Sequence, residues 1–191
     1  MNLPISFFLF FLGFFYSSDA GSDTRKNEIV WTDGYKLSWN DFKGIPDRRD
    51  DTDALTSVSI YFSYTDNSKN HLDITIFAAF DKQESWLRRN KGSEYLLSHE
   101  QLHFDITELF ARKLRKEVYA FHQTSRSIKR DYDYIFNQVY NELQRMQVLY
   151  DKETHHSLDK QAQTSWQKKI ADMLEAYRDY KESNFSILLR H

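Results

Sequence analysis

The chain contains no cysteine. That excludes a disulfide scaffold, a thiolate metal site and a lipid-modified N-terminal cysteine. Backbone breakers are scarce, with 2 Pro and 5 Gly among 191 residues. So few favour long helices over a turn-rich all-β fold. A marked charge of either sign is also missing, since the formal net charge is -2 at pH 7. Near-neutrality gives no electrostatic case for nucleic acid or an anionic membrane as partner. Long hydrophobic runs are missing too, apart from one at the N-terminus. Residues 5–16 form an uncharged apolar block, shorter than the ~20 residues a membrane-spanning helix needs.

That block is followed by Ser18-Asp19-Ala20, with small residues where a signal peptidase reads. The pattern predicts a secretory signal over residues 1–20, cut after Ala20, although its first four residues carry no Lys or Arg. The expected product is exported, periplasmic or extracellular, with no membrane attachment once the signal is removed. An uncleaved anchor is the rival. Residues 21–191 then make one domain, large enough to bury a core without disulfides.

Aromatic residues are plentiful, at 16%. Val58, Ile60, Phe62 and Tyr64 alternate within 54–64, and Leu72, Ile74, Ile76 and Ala78 alternate within 72–80. With the turn-forming run at 66–70 between them, these segments predict an antiparallel hairpin. Its second strand has apolar residues on both faces, and its edge could hold an extended peptide. A short helix is expected over 82–90, and the run RRDDTD at 48–53 reads as a solvated loop. Apolar residues at helical spacing predict long helices over 94–119, 128–149 and 158–180, with a loop between the last two. The fold class is therefore α+β, a small antiparallel sheet packed on three long helices.

One motif carries chemistry. His99-Glu100-Gln101-Leu102-His103 falls inside the first long helix. Residues i and i+4 share a helical face, so the two imidazoles can reach one zinc ion. Glu100, beside the first of them, can take a proton from the water that the metal activates. A chance match in a chain like this is on the order of one per cent. Catalytic zinc normally has three protein ligands. The third could be His71, His122, His191 or one of the loop pair His155 and His156, with Glu108 and Glu153 as carboxylate alternatives.

The motifs together resemble an uncharacterised bacterial family described as secreted zinc-dependent proteases of the zincin type. The resemblance runs from LSWNDFKGIPD at 37–47, through FDKQESW at 80–86 and LLSHEQLHFDITELFARKLR at 96–115, to YDKETHHSLDKQAQTSW at 150–166. It implies a zincin-like fold, Zn²⁺ as cofactor and a peptide or protein substrate. The family's last motif looks like Tyr-Asp-x-x-Thr-x-His followed by Gly or Ser. Thr154 sets that register here, so the resemblance implies His156 as third ligand, with His155 at a variable position.

Three more residues are candidates for supporting roles. Asp105 could orient a ligand, though a structural hydrogen bond fits its position better. Asp151, or Glu153, could hold His156 by its other ring nitrogen. Tyr150 could donate to the oxyanion that develops on an attacked carbonyl. The expected function is peptide hydrolysis with Glu100 as general base. The alternatives are a non-catalytic, zinc-stabilised binding module of the cell envelope, and a zinc hydrolase acting on a cell-wall peptide or another amide.

Overall fold

The computed structural model describes residues 24–67, 71–122 and 128–188. The expected signal at 1–20 and His191 lie outside them. No helix among the described residues is long and apolar enough to cross a membrane.

The expected hairpin forms. Strands β3 (Val58–Asn67) and β4 (His71–Asp81) pair antiparallel along their whole length. Leu72, Ile74, Ile76, Ala78 and Phe80 turn one face of β4 into the core, each 3% exposed or less. Burying one such large aliphatic side chain contributes ~1.5–3 kcal/mol. The last part of β4 is buried on both faces, because Phe77 and Ala79 are covered as well, Phe77 by the stacked ring of Tyr61 at 5.0 Å.

The other edge of β4 is shared between the two ends of the described chain. Strand β1 (Glu28–Val30) pairs with residues 79–81, and a last strand, Asn184–Leu188, pairs with residues 71–75. The edge expected to receive a peptide is thus already occupied, and β4 is central. The last strand lies outside the expected helices. Its five residues carry too little alternation to mark a strand by themselves.

One further expectation is corrected. Residues 82–90 do not form a helix. Trp86–Leu87 is a short strand that pairs antiparallel with Ala54–Leu55, which separates from β3. We call these β5 and β2, and the C-terminal strand β6. The run at 48–53 is a loop, as expected, with Arg48, Arg49 and Asp51 exposed, and it is tied down. The Arg88 guanidinium donates to the carbonyls of Asp47, Asp50 and Thr52, and Lys91 pairs with Asp53 at 3.1 Å. These bonds hold residues 51–56 as a wall over the helices.

Helix α1 (Glu94–His122) starts after Ser93, whose side chain accepts from the Leu96 amide. It lies against the sheet and against both other helices, so every residue from His99 to Arg112 except Asp105 is buried. A helix buried on all sides has to satisfy its polar groups internally. Arg115 does so by donating to Glu108, to the Ile76 carbonyl and to the Tyr180 carbonyl, each at 2.9 Å. It thereby joins α1 to the sheet and to the tail that leads into β6.

Helix α2 (Ile128–Thr154) runs further than its apolar stripe predicts. Tyr150 to Thr154 form its last turn and not a loop. Four residues, 155–158, then reverse the chain before Asp159 caps α3 (Lys160–Ala176), accepting from the amides of Gln161 and Ala162.

Candidate metal centre

The i, i+4 spacing of His99 and His103 works as the sequence implies. Both imidazoles leave α1 on one face and meet the end of α2. There Asp151 Oδ1 lies 3.1 Å from His99 Nε2 and 3.1 Å from His103 Nε2, and the two nitrogens are 3.2 Å apart. Three lone-pair atoms thus form a near-equilateral triangle. Tetrahedral bonds of ~2.0–2.1 Å would set ligand atoms ~3.3–3.4 Å apart, so the triangle is close to the face such an ion needs. The three residues are 2–6% exposed and could hold a metal ion together.

His103 is held from behind. Gln147, one turn before Asp151 and fully buried, accepts from His103 Nδ1 at 2.7 Å. Its amide nitrogen donates to the His103 carbonyl and to Thr107 Oγ1. Those two acceptors fix which way the amide points. They therefore fix the ring orientation, with Nδ1 as the donor to Gln147 and Nε2 facing Asp151, the nitrogen left to bind a metal once its proton is lost. His99 is held differently. Its ring stacks on Tyr150 at 4.6 Å, and its buried Nδ1 has no partner among the described residues.

Gln147 escapes sequence reasoning because a buried glutamine on an amphipathic stripe has no signature of its own. The readable signal was its i, i+4 spacing to Asp151, which repeats that of the two histidines. Gln147→Leu is expected to weaken metal binding by about 10–100-fold, measured by competition with a chromogenic chelator. Unchanged affinity would remove this role.

Burial alone would pull the His103 pKa down. The Asp151 charge and hydrogen bond, with help from Glu100 and Gln147, outweigh it and hold the imidazole up at about 9. Burial pushes the Asp151 carboxyl up, but the two imidazoles bring it below the ordinary carboxylate range. Without metal, then, His103 carries a proton at neutral pH that a metal ion must displace. Apparent affinity should rise about tenfold per pH unit from pH 7 and level off near pH 9. Titrations at several pH values check this, and a flat profile would contradict it.

Glu100 is 4% exposed and lines a cleft of about 250 Å³ with His99, His103, Asp151 and His156. Across that cleft stands the wall of residues 51–56.

His156 lies beside the triangle, its Nδ1 3.9 Å from Asp151 Oδ1 and its side chain 40% exposed. His155 is exposed and does not line the cleft. The Tyr150 hydroxyl is buried and lies 3.4 Å from the His99 carbonyl, and burial keeps its phenol well above the ordinary tyrosine range. Asp105 accepts from the Trp31 indole and from Gln101, away from the triangle. Glu108 pairs with Arg112 and Arg115, and Glu153 accepts from the Trp166 indole.

Residues 35–157, more than half of the chain, match a family described as a bacterial protein of unknown function (DUF922). No curated protein and no solved structure matches. The matched span contains the triangle, Glu100 and His156.

Proposed function

The chain belongs to this bacterial family of unknown function, which brings no activity with it, and from the site itself we propose an exported, zinc-dependent hydrolase that cleaves peptide bonds, a zincin-like protease. One observation carries the reading. A buried pair of imidazoles and a carboxylate converge on one point, and a second carboxylate, Glu100, faces the cleft beside them. A structural zinc site needs no such extra acid. The chemistry of the donor set, two nitrogens and one oxygen, suits zinc.

His99, His103 and Asp151 would hold the ion. Bound zinc would bring the pKa of water toward ~7 and polarise a carbonyl. Glu100 accepts the proton of the attacking water and passes it to the leaving amine. The wall strand β2 offers the substrate a place to lie. Asp53 accepts from the Arg88 amide on the β5 side, and Leu55 is paired with Trp86. By alternation the backbone groups of Ala54 are turned away from β5, the side on which an extended peptide could pair with them. Export rests on the apolar N-terminal block and the Ser18-Asp19-Ala20 site.

Metal analysis of the mature protein, combined with a screen of casein and cell-wall peptides, tests the reading. One zinc per chain and cleavage that a chelator abolishes would support it. A protein that takes up no zinc, or whose cleavage survives metal removal, would overturn it.

A further inference from the structure

We propose that His156 is a catalytic residue that acts on the substrate and is not one of the residues that hold the metal; this rests on the hydrolase reading above. The triangle of His99, His103 and Asp151 is already complete, with edges of 3.1–3.2 Å. A catalytic zinc site takes three protein ligands and leaves one position open. His156 stands outside the triangle. Its 3.9 Å separation from Asp151 Oδ1 exceeds both those edges and a hydrogen bond. Its side chain is 40% exposed, against 2–8% for the three. It therefore lies on the cleft side of the site, where a substrate would approach.

The backbone supplies an independent argument. His155, His156 and Ser157 have φ of 50°, 52° and 68°. Three consecutive left-handed residues that all carry a β-carbon are costly, and glycine would relieve each of them. The turn is fixed from both sides. The His156 amide donates to the Asp151 carbonyl at 2.9 Å, and the Leu158 and Asp159 amides both donate to the Thr154 carbonyl. Thr154 Oγ1 in turn donates to the Tyr150 carbonyl at 2.8 Å. Strain that the surroundings enforce is characteristic of functional positions. Here it sets an imidazole at the rim, in the same cleft as Glu100 and opposite Ala54–Thr56.

When water attacks a peptide carbonyl, negative charge gathers on the carbonyl oxygen. A fixed N–H donor aimed at that oxygen lowers the barrier. The His156 ring supplies such a donor. The Tyr150 hydroxyl, the other candidate, is buried against the His99 carbonyl and does not line the cleft.

The test uses the zinc-loaded protein with His156→Ala and His156→Gln, both at an exposed position. Zinc content and the absorption bands of the cobalt-substituted protein should match wild type in both. With casein as substrate, kcat of His156→Ala should fall by about 10²–10³-fold while KM changes little. His156→Gln, which retains an N–H donor, should recover part of the loss. Affinity for N-phosphoryl-leucinamide, a tetrahedral anion, should weaken by about 10–100-fold in His156→Ala. Loss of zinc or shifted cobalt bands in His156→Ala would make the residue a ligand and overturn the proposal. Wild-type kcat and phosphoryl affinity in that variant would overturn it as well. Wild-type protein without zinc would overturn the hydrolase reading too, and that failure appears before any substitution is made.

Discussion

Glu100→Gln should leave one zinc per chain and lower turnover by about 10²–10⁴-fold, the range expected when a positioned general base is lost. Glu100 is outside the triangle, so the substitution removes no ligand. The amide matches the carboxylate in size and keeps the cleft filled. What it loses is the ability to accept a proton. The same exchange removes a negative charge that helps raise the His103 pKa, so metal affinity should shift slightly and not collapse. Metal analysis and turnover have to be measured on one preparation. Turnover near wild type would eliminate Glu100 as the base, and with it the mechanism.

Asp151→Ala should cost more metal affinity than the 10–100-fold expected for Gln147→Leu, because it deletes an atom of the triangle and not a group behind it. His99 and His103 then face each other at 3.2 Å with no anion between them. The charge and hydrogen bond that outweigh burial at His103 are gone, so its pKa should drop from about 9 to below the ordinary value of 6.5. NMR titration of the metal-free variant reads that drop directly. If Asp151→Ala still binds zinc as wild type does, the third ligand lies elsewhere, and the resemblance names His156 as the next to examine.

These outcomes depend on the part of the site that was hardest to read in the sequence. HEQLH was legible because five residues fix their own geometry, given a helix. The hairpin was legible because Val58 to Tyr64 and Leu72 to Ala78 alternate over enough positions. The helix carrying Asp151 was legible only to its last apolar residues. Nothing in YDKETHH marks a helix end, since the left-handed turn uses His, His and Ser where glycine is usual. The apolar stripe therefore predicts a stop at 149, too early, and puts Asp151 in a loop where it would support His156. In the structure it faces the two histidines. The wall over the cleft was illegible for another reason. Arg88 draws in residues 47–52 by bonding to backbone carbonyls, and carbonyls carry no sequence information. Strands of two residues, as in β2 and β5, are too short for any periodicity to show.

The shared edge of β4 has a kinetic consequence. Ser186 and Asp73, which hydrogen-bond between β6 and β4, are 113 positions apart in the chain, and Asn184 and Thr75 are 109 apart. Closing so long a loop is entropically unfavourable until other contacts hold its ends near each other. This pairing is therefore expected to form late, once α1, α3 and the bond from Arg115 to the Tyr180 carbonyl hold its ends near each other. Until then residues 71–75 of β4 offer unpaired amides and carbonyls to any neighbouring chain. Refolding is thus a race between a unimolecular closure and a bimolecular pairing, and dilution favours the native outcome.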